Sequence, residues 1–169
     1  PPGTRHVAPF VGLTALLLSA GAQAIEFNQL LADKSAVSFA YKQMNVPLDG
    51  GFKRFDGRIN FDPAKPALAK AEIDIELASI DTGSEEGNDE VAGKLWFNTK
   101  QFPVARFVST SIKPLGNNRF EVAGKMSIKG RTLDTRTPAT FRQEGNLGVF
   151  EGSFVLKRGD YGISEGMCA

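Results

Sequence analysis

The sequence predicts an all-β domain, an antiparallel up-and-down barrel with one short helical insert. Three observations lead to this prediction. Apolar and polar residues alternate with a period of two in successive segments of the 169-residue chain, as they do on half-buried strands. The segments recur at a spacing of roughly ten residues between Gly, Pro and Asn turns, which is typical of sandwiches and barrels. The connections are mostly local, and this favours a barrel.

The first 24 residues are predicted to be a secretory signal peptide. Two basic residues precede an apolar run at 7–20, and the run leads to Ala22-Gln23-Ala24, an A-x-A cleavage pattern. The run is short for a membrane helix, which needs about 20 residues, and a retained N-terminal anchor is the alternative. Cleavage after Ala24 leaves a mature domain of residues 25–169. Export of a chain with one cysteine suits a bacterial periplasm.

The alternation predicts strands in the mature domain at 27–31, 37–44, 52–61, 69–80, 106–112, 119–129, 132–143 and 148–157. Residues 47–51, Pro-Leu-Asp-Gly-Gly, are expected to break the chain between the second and third strands. Hairpin turns are expected at 117–118 and 144–146. Acidic residues after Ser84, followed by Val91 and Leu95, predict one short helix within 84–99.

The alternation is clearest in residues 71–83. Its apolar and acidic side chains fall on opposite faces, Ile73, Ile75 and Leu77 against Glu72, Asp74 and Glu76. The segment ends in Asp81-Thr82-Gly83-Ser84, which also marks the catalytic aspartate of aspartic proteases. One interpretation is a strand end at which Asp81 turns the chain. The other is a homodimeric acid protease in which Asp81 supplies half of a carboxylate pair. Four further carboxylates within 85–90 would solvate such a site, which favours the strand end.

Composition excludes several function classes. A net charge of +1 gives no field that would attract nucleic acid. The only cysteine is Cys168 and the only histidine is His6, so neither an intrachain disulfide nor a Cys or multi-His metal site can form. Because His6 lies in the predicted signal peptide, the mature chain has no histidine base for a Ser or Cys nucleophile. We therefore predict no catalytic residue, no metal and no cofactor.

Phenylalanine dominates the predicted interior, with 13 Phe against two Tyr and one Trp. The aromatic side chains that match the inward period are Phe39, Phe61, Phe107, Phe120, Phe141, Phe150 and Phe154. Their aliphatic partners are Val37, Ile59, Ile73, Ile75, Leu77, Val122, Met126, Ile128 and Leu156. A small barrel is either filled by its own side chains or holds one ligand. The period alone leaves both interpretations open: a solid core with a surface interaction role, and a cavity for a long hydrocarbon.

Several motifs, in one order, resemble the YceI-like family. They are Gly51-Phe52, Phe55-Asp-Gly57, Ile59-x-Phe61-Asp62-Pro63, Ser79-Ile-Asp-Thr-Gly83, Trp96-Phe97, Phe102-Pro103-x-Ala105-x-Phe107 and Gly124-x-Met-x-Ile128-Lys-Gly130. The resemblance covers nearly the whole chain from Ile25 onward. It implies a non-enzymatic, secreted or periplasmic lipocalin-like barrel of eight strands. Such proteins hold a polyisoprenoid or an isoprenoid quinone in an apolar channel and are expected to carry or store it.

The resemblance also implies roles for particular residues. The inward side chains become the channel wall, Trp96 and Phe97 shape one barrel end, and Asp81-Thr82-Gly83 becomes a structural corner. Family members continue past the point where this sequence stops, with a strand that closes the barrel. We therefore expect an unpaired edge at 37–44 and a slot in the wall. A truncated gene model explains this, and a homodimer would also cover the edge. The expected partner is an isoprenoid lipid, with neither nucleic acid nor stable membrane insertion after processing.

Overall fold

The computed structural model describes residues 10–19, 27–43 and 46–163. Within these residues the chain forms eleven strands and one α-helix, in addition to short 3₁₀ turns. The elements are β1 (Phe10–Ser19), β2 (Phe27–Leu30), β3 (Ala36–Gln43), β4 (Val46–Phe52), β5 (Phe55–Asn60), β6 (Lys70–Glu76), β7 (Ile80–Asp81), α1 (Glu85–Ala92), β8 (Val104–Gly116), β9 (Arg119–Ile128), β10 (Arg131–Glu144) and β11 (Leu147–Val155).

The strands form one antiparallel meander that curls into a barrel. From β8 to β11 each strand pairs with the next, β11 pairs with β1, and β1 pairs with β3. β4 continues into β5, and β6 continues into β7, so these four strands make two long bent strands that pair with each other. If each bent strand is counted once and the short β2 is left out, the barrel of the described chain has eight strands. This confirms the predicted up-and-down, lipocalin-like fold class.

β1 lies where an open slot was expected. Leu13 is opposite Gly152 of β11 on one side and Val37 of β3 on the other. The expected unpaired edge is therefore wrong for residues 37–40, which pair with β1 on one side and with β4 on the other. Residues 41–43 pair with β4, and Met44 lies outside the described residues. The cause is that an apolar segment in extended form satisfies backbone groups that an empty slot would leave without partners. Cleavage after Ala24 stays a prediction, because residues 20–26 lie outside the described part.

Residues 47–51, expected to break the chain, belong to a strand instead. β4 pairs with β3 from Val46 opposite Gln43 to Phe52 opposite Val37. Gly50 marks close packing within this strand. A Cβ at Gly50 would collide with the Asp81 carbonyl oxygen and would lie 2.7 Å from the Phe39 ring. Glycine in a strand interior often signals such a close approach, and here it was mistaken for a turn.

The predicted helix is confirmed as α1. Ser84 is its N-cap, and the Ser84 hydroxyl oxygen accepts a hydrogen bond from the Gly87 backbone N–H at 3.0 Å. Glu85 and Glu86 occupy the first turn, where carboxylates interact favourably with the helix dipole. The helix carries the chain from β7 across one end of the barrel toward Trp96 and Phe97.

Candidate ligand-binding cavity

The outer face of the wall carries paired charges that fix which side of each strand faces water. On β6, Glu72 and Asp74 both accept hydrogen bonds from Arg106 of β8 at 3.3 Å. Arg54 Nε donates to Glu76 at 2.7 Å, and this bond lowers the pKa of the Glu76 carboxyl. The apolar residues between these carboxylates therefore face the barrel interior.

The first cavity has a volume of about 120 Å³ and lies in the middle of the barrel. One water molecule needs roughly 10–15 Å³ of such volume, so the cavity could hold about ten waters. The barrel interior is therefore not completely filled by side chains. Its wall includes these predicted channel residues: Val37, Ile59, Phe61, Ile73, Ile75, Phe107, Val122, Met126 and Phe150. Gly124 makes room for the Phe107 ring, because a Cβ there would lie 2.5 Å from the ring.

The second cavity, of about 80 Å³, lies toward the helical end. Its wall includes these predicted channel residues: Phe39, Ile75, Leu77, Trp96, Phe97, Met126, Ile128 and Leu156. Ile75 and Met126 line both cavities. These two side chains therefore lie between the two cavities as a partition.

The end of the barrel near β2 is closed by a cluster of five phenylalanines, here called the Phe cluster: Phe27, Phe61, Phe120, Phe141 and Phe150. The Phe61 ring centroid lies 4.7 Å from that of Phe150, 4.9 Å from that of Phe141 and 5.4 Å from that of Phe120. Phe120 and Phe141, expected in the channel wall, are buried in this cluster and do not line either cavity. Phe154 lies in β11, but its side chain is outside the described part.

The opposite end is formed by Trp96, Phe97 and the chain after β11. The Arg158 guanidinium lies 5.3 Å from the centre of the Trp96 ring, a cation–π distance. Phe97 packs edge-on to Phe52 with ring centroids 6.2 Å apart. The Trp96 indole nitrogen is buried without a hydrogen-bond partner among the described residues. Trp96 and Phe97 thus lie at one barrel end, where the resemblance implied.

Several wall residues were missed by sequence reasoning. Leu13 and Ala15 line the first cavity but fall in the predicted signal peptide. Ile112 also lines it, because a β-bulge between Ser109 and Ser111 shifts the alternation of β8. The alternation of Leu13, Ala15 and Leu17 could have revealed β1. The bulge in β8 could not have been found in this way, because the sequence pattern does not show it.

The Asp81-Thr82-Gly83 motif is a turn, as the resemblance implied. Asp81 Oδ1 accepts a hydrogen bond from the Gly83 backbone N–H at 2.9 Å, and Gly83 has a φ of 97°, a conformation that favours glycine. The Asn88 side-chain oxygen accepts from both the backbone N–H and the hydroxyl of Thr82, at 2.7 Å each. The Asp81 carboxylate also lies 3.7 Å from Lys53 Nζ at the surface. These contacts give Asp81 a structural role at the corner between β7 and α1.

The side chains that line the two cavities are almost all apolar. Residues 10–19, 27–43 and 46–163 contain no group of three or more His, Cys, Asp or Glu side chains that could hold a metal ion. In the same residues there is also no helix with the length and apolar character needed to span a membrane.

The closed meander and its apolar interior define a barrel of the lipocalin-like class. The chain belongs to the YceI-like family: the model of the YceI-like domain matches residues 29–168. It is 33% identical to a UPF0312 protein of Azotobacter vinelandii over 124 residues, which are 70% of this chain but 65% of that protein. The chain thus spans just under two thirds of that relative. A UPF0312 protein of Pseudomonas savastanoi is 30% identical over 89% of this chain and 82% of its own length.

Solved structures give the same fold. The crystal structure of Burkholderia cenocepacia BcnA is 35% identical, with a TM-score of 0.73, and the alignment covers 94% of this chain and 83% of that one. A Campylobacter jejuni YceI protein is 22% identical with a TM-score of 0.59, over 68% of this chain and 71% of that one. At that identity the second likeness concerns the fold alone.

Proposed function

We propose that this protein binds a long isoprenoid lipid, the tail of a polyisoprenoid or of an isoprenoid quinone, inside the barrel. It carries or stores the lipid in the periplasm and does not alter it chemically. The observation that supports this best is the pair of apolar cavities along the barrel, both of which are bordered by Ile75 and Met126.

The shape and chemistry of the space suit a methyl-branched hydrocarbon. The walls are aliphatic and aromatic, so each part of a ligand that enters loses contact with water and gains about 25 cal/mol per Å² of apolar surface buried. A polar ligand would find few partners along this wall. The two cavities follow one another along the barrel, and this arrangement favours a long, thin chain such as the tail of a polyprenol or a quinone.

The partition explains how a long chain would occupy two small cavities. Met126 is buried and unbranched, and methionine adapts its conformation to irregular neighbours. A lipid that displaces the Met126 side chain would join the two spaces. The proposed binding therefore needs a rearrangement of one side chain at the middle of the barrel and leaves the backbone ladder in place.

Export and the lack of an enzymatic role rest on different observations. Periplasmic location is supported by the family, whereas residues 10–19 of the predicted signal peptide form the wall strand β1 in this structure. A binding role without chemistry is supported by the turn role of Asp81 and by the apolar character of both cavities.

Mass spectrometry of an organic extract of the purified protein tests the proposal. We expect a long isoprenoid in the extract of the unsubstituted protein. Met126→Trp, which places a larger side chain between the two cavities, should remove it. Lys125→Trp is the matched control, because Lys125 is the adjacent residue on the outer face, where it pairs with Asp134. An unsubstituted protein without isoprenoid, or a folded Met126→Trp protein with a full load, would contradict the proposal.

A further inference from the structure

β10 is paired along almost its whole length with β9 but only in part with β11. On the β9 side the ladder runs from Arg131 opposite Ile128 to Thr140 opposite Arg119. On the β11 side it covers only Ala139 opposite Gly152 through Glu144 opposite Leu147. Residues 132–138 therefore have no ladder partner on the β11 side within the described chain. The seam is defined here as the gap between residues 132–138 and residues 153–157.

Pro138 explains where the ladder stops. In an antiparallel ladder the N–H and C=O of one residue point to the same neighbour, and successive residues alternate between neighbours. The Phe141 N–H donates to the Asn118 carbonyl on the β9 side, so even-numbered residues of β10 point toward β11. A Cβ on Gly152 would lie 3.2 Å from the Pro138 carbonyl oxygen, which agrees with this direction. Proline has no backbone N–H, and at Pro138 this missing N–H is the donor that the next hydrogen bond to β11 would need.

The seam separates the interior from an outer groove by side chains alone. The groove, of about 540 Å³, has a mixed wall: it is lined by Leu133, Pro138, Val155, Leu156 and Tyr161 and also by Asp134, Thr135, Arg136, Ser153, Lys157 and Asp160. Leu156 also lines the second cavity, so one side chain borders both spaces. Leu133 and Tyr161 pack in the same core cluster as Leu156. Val155 is 56% exposed, which leaves an apolar residue at the surface of the groove.

The other routes into the barrel are more obstructed. The β2 end is closed by the Phe cluster, and Phe27 and Phe61 exchange two backbone hydrogen bonds of 2.7 and 2.8 Å. The helical end is covered by Trp96 with Arg158 stacked on it. Entry between β9 and β10 would require breaking a continuous backbone ladder. Opening the seam breaks no ladder pairing between strands of the described chain.

We propose that the seam between β10 and β11 is a lateral entrance through which the isoprenoid chain enters and leaves the barrel. Leu133, Leu156 and Tyr161 move aside, and the paired segment above Ala139 holds the two strands together. The groove outside, whose wall has both apolar and charged side chains and which has Val155 at its surface, receives the chain first. This inference rests on the proposed lipid-binding function.

The test is the rate of lipid transfer into a stapled barrel. Arg136→Cys and Val155→Cys, with Cys168→Ser, place two outward thiols on opposite sides of the seam for a short bifunctional maleimide. The control staple joins Lys125→Cys and Asp134→Cys, whose native side chains meet at 2.8 Å across the continuous β9–β10 ladder. The probe is a long-chain ubiquinone in phosphatidylcholine vesicles, which quenches the fluorescence of Trp96, the one tryptophan of the chain.

We expect the seam staple to slow quenching at least tenfold, whereas the control staple and the unstapled double-cysteine protein load at the original rate. Equal rates in all three would overturn the lateral entrance while leaving lipid binding intact. If ubiquinone does not quench even the unsubstituted protein, and its extract holds no isoprenoid, the proposed function itself fails and the entrance fails with it.

A second variant tests the entrance without a cross-link. Pro138→Thr returns the missing N–H and should extend the β10–β11 ladder into the seam, which slows quenching severalfold. Pro114→Thr is the matched control, because Pro114 is an exposed proline of β8 that pairs with β9, away from the seam. A Pro138→Thr protein with added amide-exchange protection at the seam and unchanged loading would contradict the proposal.

Discussion

The two ends of the barrel are built from similar aromatic residues but differ in how those residues pack. In the Phe cluster, Phe61 contacts three other rings at 4.7 to 5.4 Å and is almost completely buried. At the helical end Trp96 and Phe97 are only partly buried and border a cavity. Both ends border a cavity, since Phe61 and Phe150 line the first and Trp96 and Phe97 line the second, but only the first end packs its rings into a buried cluster that stabilises the barrel.

The difference teaches that aromatic content alone does not identify a binding wall. Phe120 and Phe141 follow the same inward period as Phe107 and Phe150, yet the first two contribute only to the Phe cluster. Phe120 and Phe141 differ from Phe107 in their position along the barrel axis. They lie at the end that β2 covers, where rings such as Phe27 and Phe141 pack against one another.

The largest expected effect is at the Phe cluster. Phe61→Ala should lower the free energy of unfolding by about 3–5 kcal/mol, because it removes a fully buried ring and leaves a cavity among the remaining rings. Urea denaturation measures this. Val155→Ala is the control, with a change expected within about 0.5 kcal/mol because Val155 is exposed. A loss below about 1 kcal/mol for Phe61→Ala would mean that the two ends do not differ in packing.

An intermediate effect is expected at the bend toward the helical end. Ser79 is buried, its hydroxyl accepts a hydrogen bond from the Arg54 backbone N–H at 2.9 Å, and it donates to the Glu76 carbonyl at 2.6 Å. Ser79→Ala leaves the Arg54 N–H without this partner and should cost about 1–3 kcal/mol.

Hydrogen exchange locates the Ser79→Ala effect. Amides of β7 and α1 should lose more protection than those near the Phe cluster. Uniform loss across the barrel would show that the helical end does not open independently. Ser84→Gly, which changes only the helix cap, separates the bend from α1.

The smallest effect concerns the surface pair at the same bend. The hydrogen bond from Arg54 lowers the pKa of Glu76, so the pair adds stability above the ordinary pKa of a glutamate and loses it as the pH falls through the lowered value. Arg54→Met should therefore destabilise the protein slightly at neutral pH and not at low pH. Thermal melts at the two pH values measure the difference, and a larger loss at low pH would contradict the assignment.

Much of the wall could be predicted because its strands alternate regularly and pair with their neighbours. Ile73, Ile75 and Leu77 follow a strict period, and all three border a cavity. Ile112 could not be placed because a bulge adds one residue to β8. Gly50 was mistaken for a turn because its role depends on Phe39 and Asp81, which are distant in sequence.

The choice between a filled core and a cavity was also beyond the sequence. It depends on the total volume of the side chains that eight strands place in the interior, and the alternation within one strand does not reveal that total. The seam was equally hidden, because the consequence of Pro138 depends on which neighbour its missing N–H would face. That direction follows from the register with β9.

β1 has a consequence for the order of events in the cell. The segment Phe10–Ser19 that closes the barrel between β11 and β3 is also the apolar part of the predicted export signal. A chain that folded before translocation would hide that signal within a hydrogen-bonded wall. Folding and export would then compete for the same ten residues, and the faster process would decide in which compartment the barrel first closes.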